Sequence, residues 1–169
     1  MTRIKFATIW IVIQCCGFAF WAGFEQARLA PGTGQSILVK TQPVDPRDLL
    51  SGQYMRLGYD FNRFPSGKEF SPNDNVWASL SPVTENGRTC YQFTGCSRTK
   101  PIAATLRAGD IVIRGRAENR RRASFGVERY FVPEGTETPN MRDVTVRLRI
   151  GTDHRARIEE VYVKGIAWP

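Results

Sequence analysis

Residues 49–61 read LLSGQYMRLGYDF, and the fold turns on how this stretch is read. From Gln53 onward the residues alternate. Met55, Leu57, Tyr59 and Phe61 share one face, and Tyr54, Arg56 and Asp60 share the other. That pattern predicts a half-buried strand whose apolar side enters a core. Just before it, VDPRDLLSG predicts a short helical turn near 46–51, with Asp45 as cap, Pro46 in the first position and Gly52 as closure. Gly52 and Gln53 then act as a turn into the strand. Leu57, Tyr59 and Phe61 are expected in the core. Tyr54 and Arg56, with Glu128, Arg129 and Tyr130, are the residues of this region suited to a binding face, because Tyr and Arg are common anchors of protein surfaces.

Working outward, short strands recur. SILVKTQPV (36–44) predicts the first. NVWASLSPV (75–83) and TCYQFT (89–94) predict a hairpin around Asn86-Gly87. DIVIRGRAE (110–118), ASFGVERYFVP (123–133), DVTVRLRIG (143–151) and ARIEEVYVKGI (156–166) predict four more, the last bulged at Glu159-Glu160. In DVTVRLRIG, Val144, Val146, Leu148 and Ile150 point inward and Arg147 and Arg149 outward. LRAGDIVIRGRAE echoes LLSGQYMRLGYDF weakly, as any Gly-polar turn opening a strand does. The class is mainly β: a compact, mostly antiparallel domain over 36–169, sandwich or barrel-like.

The first 30 residues differ in kind. Arg3 and Lys5 lead, and Phe6 to Phe24 carries no charge before Glu25 and Arg28. Nineteen helical residues rise about 28 Å, close to bilayer hydrocarbon thickness. No A-x-A exit follows, so an uncleaved signal-anchor is expected over 1–30, with 31–35 as linker. Arg3 and Lys5 favour a cytoplasmic N-terminus and a domain outside the cytoplasm. Trp10 and Trp21 suit the two interfaces.

Formal net charge is +8, from 24 basic and 16 acidic residues, and 19 of the basic residues are arginine. Guanidinium favours bidentate pairing with carboxylates and phosphates. The segment RGRAENRRRASFGVER (114–129) holds six arginines, and Arg120, Arg121 and Arg122 at a loop tip would form an anion-binding patch. Nothing resembles a nucleic-acid tail, and an export signal argues against that role. Cys90 and Cys96 flank a possible tight turn in RTCYQFTGCSR, so a Cys90–Cys96 disulfide is expected in an oxidising compartment.

Chemistry is harder to find. The one histidine, His154, sits in GTDHRAR and reads as a solvated turn residue, so neither a triad nor a metal set is expected. Ser51 could open a Ser/Lys site of the kind found in signal-peptidase-like hydrolases. The strands, however, offer Arg114, Arg116 and Arg129 where a lysine base is needed, and arginine does not deprotonate. No phosphate loop or dinucleotide fingerprint is present, and no cofactor is expected.

LSGQYMRLGY resembles the signature for which the GDYXXLXY family of bacterial membrane-anchored proteins is named. Pro43 to Asp48 before it and Val127 to Gly135 after it add to the likeness. The resemblance implies one helix in the bacterial inner membrane followed by a β-rich periplasmic domain. The family's Asp is Gln53 here, which removes a charge and leaves a turn role. The resemblance brings no activity with it. The expected function is therefore that of an accessory or assembly protein that binds another membrane protein. A module for an anionic envelope ligand is the alternative, and a cryptic hydrolase the third reading.

Overall fold

The computed structural model describes residues 2–29, 34–42, 50–51, 54–85, 87–133 and 139–168. Gly52, Gln53 and most of the expected helical turn near 46–51 lie outside the described residues, as does most of the linker. The chain divides into two compact units, residues 1–33 and 34–169.

The first unit is helix α1 (Thr2–Leu29). Its side chains from Ile9 to Phe24 carry no charge and include one polar amide, Gln14, and Trp10, Ile13, Phe20 and Trp21 are all exposed. Among the described residues no helix is long and apolar enough to cross a membrane.

The second unit is mainly β. Its strands are β1 (Gln35–Lys40), β2 (Leu50–Ser51), β3 (Tyr54–Arg56), β4 (Asn75–Glu85), β5 (Arg88–Ser97), β6 (Ile111–Ala117), β7 (Ala123–Ser124), β8 (Arg129–Phe131), β9 (Val144–Ile150), β10 (Ala156–Val163) and β11 (Ile166–Trp168). Eight form one sheet in the order β11-β10-β9-β1-β5-β4-β6-β7, and β2-β3-β8 form a second. Among the described residues only β1–β5 pairs in parallel. One core joins both sheets. Met55, Leu57, Tyr59 and Phe61 from the opening stretch pack with Val76, Ile113, Val127, Val146 and Val161. β9 alternates as expected, and the bulge in β10 falls between Ile158 and Glu160.

The large sheet curls on itself. β7 pairs with β6 only at Arg116 and Ala117. Beside the rest of that edge lies the β9–β10 turn. The Arg114 N–H donates to the His154 carbonyl at 2.8 Å, and His154 Nδ1 lies 3.1 Å from the Val112 carbonyl. Strands β9, β1, β5, β4 and β6 thus close into a barrel-like ring. His154 is half-buried and edge-on to Trp77 at 5.5 Å, so it is a closure residue and not the solvated turn residue expected. The reason is the open edge of β6, whose backbone groups need partners.

Three other expectations are corrected. Leu50 and Ser51 are strand, not helix: they pair with Met55 and Tyr54 across a two-residue connection. The strand expected to run to Phe61 stops at Arg56, and Asp60–Asn62 is a 3-10 turn. Side chains take over the backbone there, since Asp60 accepts from the Phe61 and Phe93 N–H groups and Asn62 from that of Tyr59. The segment 123–133 breaks into β7 and β8, in different sheets, around Gly126 at φ +82°.

Cys90 and Cys96 are both free and buried. They lie on one strand, β5, opposite Val83 and Ala78 of β4. The turn falls instead between Glu85 and Arg88. Six strand residues span about 20 Å, and a disulfide needs Cα atoms within about 7 Å. A register shift between them also flips the strand, so that Cys96 joins the core face with Ala78 while Cys90 faces away from it. The expected disulfide does not form.

Candidate functional site

The small sheet carries the residues singled out in the sequence, but it sorts them differently. In β3, Met55 is fully buried, so its neighbours Tyr54 and Arg56 face outward. In β8, Tyr130 stands opposite Met55, Phe131 opposite Tyr54, and Arg129 opposite Arg56. Tyr130 therefore lies on the inner side, half-buried and 6.1 Å from the Trp168 ring. The outer aromatic partner of Tyr54 is Phe131. The two rings meet edge-to-face at 5.7 Å and remain 49% and 54% exposed. Sequence reasoning missed Phe131, because 123–133 was read as one unbroken strand. Pairing Glu128-Arg129-Tyr130-Phe131 by parity against Tyr54 would have found it.

Glu128 belongs to the fold more than to the surface. Its carboxylate accepts from Ser124 Oγ (3.0 Å), the Phe125 N–H (2.6 Å), the Gly126 N–H (2.9 Å) and Asn62 Nδ2 (2.9 Å). These bonds fold the β7–β8 connection back on itself. Asn62 also donates to the Ala123 carbonyl, so it ties the 3-10 turn to this loop. Beneath them the Tyr59 hydroxyl donates to the Val127 carbonyl at 3.1 Å. Burial pushes that phenol well above its ordinary value, and the nearby Glu128 charge adds to the shift.

Between these elements lies a cleft of about 560 Å³. Its wall includes Arg56 of β3, Arg63 after the 3-10 turn, Arg122 at the end of the arginine loop, and Arg129 of β8. The pairs are set by backbone. Arg56 faces Arg129 in the β3–β8 ladder, and Arg63 faces Arg122 in an isolated bridge. Asn119 shapes the loop by accepting from the Arg121 and Arg122 N–H groups, each at 2.9 Å. Of the expected patch, Arg122 enters the cleft wall, while Arg120 and Arg121 are exposed outside it.

A wider, shallower trough of about 690 Å³ lies along β4 and β5, with Lys68, Ser79, Ser81, Lys100 and Asp110 among its residues. Ser81 Oγ donates to Asp110 at 2.5 Å, and that bond, with the Arg107 N–H, holds the Asp110 carboxyl below its ordinary range. Thr94 and Ser97 donate to backbone carbonyls. The Lys68 ammonium is bonded to the Cys96 carbonyl and not to a serine. Burial raises the Cys96 thiol, which makes it less reactive. Among the described residues no three His, Cys, Asp or Glu side chains gather as a metal set. Ser51 closes β2 opposite Tyr54.

Comparison with curated proteins and with solved structures finds no match. The GDYXXLXY protein family model matches residues 17–161. That span runs from the second half of α1 into β10, with the pattern itself falling on Gly52, Gln53, Tyr54, Leu57 and Tyr59, and the chain belongs to the GDYXXLXY family.

Proposed function

We propose that this protein is a membrane-held, extracytoplasmic docking module, without catalysis, that binds another membrane protein through the outer face of its small sheet. The observation that carries the reading is the exposed Tyr54–Phe131 pair with Arg56 and Arg129 beside it. Two aromatics held edge-to-face by backbone pairing are pre-ordered, so little side-chain entropy is lost on contact. Flanking guanidiniums suit an acidic partner surface. The membrane part of the proposal rests on the 19-residue charge-free run from Phe6 to Phe24 and on the basic residues before it. An uncharged helix with large apolar residues on all sides is matched to a lipid environment or a large core.

The test is purification of the tagged full-length protein from membranes in mild detergent. A partner of defined stoichiometry should co-purify and withstand salt near 1 M, where charge steering is screened. Tyr54→Ala with Phe131→Ala should weaken the complex by ~30- to 1,000-fold, since anchor aromatics contribute about 1–2 kcal/mol each. Tyr130→Ala would not serve, because Tyr130 packs inward. Absence of any partner, or one retained unchanged by the double variant, sinks the reading. Recovery of the protein in the soluble fraction sinks its membrane part.

A further inference from the structure

Arg56 and Arg129 flank the docking face, but Arg63 and Arg122 of the same cleft lie outside it and are not explained by docking. We propose that the cleft is a binding site for a small oxyanion-bearing ligand, one presenting carboxylate or phosphate groups, held between the Arg56–Arg129 and Arg63–Arg122 pairs. Like charges directly opposite one another across paired strands are unfavourable. Here two such pairs line one cleft of about 560 Å³, within the range of small-molecule sites.

On the large sheet a comparable pair is neutralised by carboxylates. On the outer face of the large sheet, Arg149 also stands opposite an arginine, Arg157. There Arg149 pairs with Glu159, and Arg147 with Glu160 at 3.0 Å. Arg149 and Ser36 hold the Glu159 carboxyl below its ordinary range, as expected of a committed ion pair. In the cleft, Arg63, Arg122 and Arg129 meet no carboxylate at ion-pair distance among the described residues.

The acids in the cleft wall do not fill that role. Asp60 is bonded through both oxygens to the Phe61 and Phe93 N–H groups. Glu128 is bonded through both oxygens to its own turn and to Asn62. Glu118, the third, is exposed. Arg63, Arg122 and Arg129 thus present guanidinium donors while the two inner carboxylates of the cleft are committed as acceptors. Planar forks of this kind match the two oxygens of a carboxylate or phosphate. This inference does not depend on the docking reading. Arg63 and Arg122 lie outside the Tyr54–Phe131 face, so variants there test it alone.

The experiment is calorimetric titration of the full-length protein, in zwitterionic detergent at low salt, with citrate and separately with pyrophosphate. The expected result is saturable one-to-one binding of at least one probe. Preference between the two assigns the carboxylate or phosphate source. Arg63→Ala with Arg122→Ala should weaken it ~10- to 100-fold, the effect of losing charge-assisted hydrogen bonds. Arg120→Ala with Arg121→Ala, just outside the cleft, should leave it within about twofold of the parent. If the alanine pair does not fold, Arg63→Lys with Arg122→Lys keeps the charge and loses the fork, and affinity should still fall severalfold. No saturable binding of either probe overturns the proposal. Equal losses in the two alanine pairs also overturn it, since they mark diffuse attraction to a basic surface.

Discussion

Glu128 shows how one side chain can be mistaken for surface. Its position beside Arg129 suggested a binding role, yet four donors converge on its carboxylate, three of them from its own turn and one from Asn62. Removing it leaves the Phe125 and Gly126 N–H groups without their acceptor in a partly buried loop. Such losses cost about 1–3 kcal/mol each at a buried site, and water entry lowers that at an accessible one. Glu128→Ala should therefore destabilise the domain by roughly 2 kcal/mol in denaturant unfolding, with the slope unchanged. A variant as stable as the parent would return Glu128 to the surface. Within the signature, Leu57 and Tyr59 are 2% exposed, and core packing accounts for them. Among its described members Tyr54 is the one that core packing does not explain, which is why it anchors the docking reading.

At the scale of elements, alternation was the most informative signal. It placed Met55, Leu57, Tyr59 and Phe61 in the core, resolved β9 residue by residue, and located the bulge in β10. Asn86-Gly87 located the β4–β5 turn. It failed where side chains redirect the backbone, at Asp60 and Asn62, and where Gly126 breaks a run of strand-formers. Neither event has a periodic signature. The cysteines were misread for a related reason: Gly95 suggested a turn, but it sits inside β5, opposite Ser79. Both thiols should therefore stay reduced even in an oxidising compartment. Alkylation of the unfolded protein without reductant should label Cys90 and Cys96 fully, as read by peptide mass spectrometry. A linked Cys90–Cys96 peptide would contradict the β5 register.

At the scale of the whole molecule, the cleft and the ring closure were both illegible in the sequence, because each joins residues far apart in the chain. Arg63 and Arg122 meet through one bridge, and Arg114 and His154 through one backbone bond. Closure matters physically because an open sheet edge invites pairing with another chain. It depends on a non-glycine residue at φ +61°, a region that asparagine tolerates well. His154→Asn keeps that backbone but loses the ring's contact with Trp77 and with the Val112 carbonyl. The loss of one such hydrogen bond is worth about 0.5–1.5 kcal/mol. If the turn alone closes the ring, that cost falls locally. The Arg114 amide should exchange with solvent roughly 2- to 10-fold faster, while amides of the β4–β5 hairpin keep their protection. Uniform acceleration would mean that His154 supports the whole core, and no acceleration would mean that β6 holds its edge without the turn.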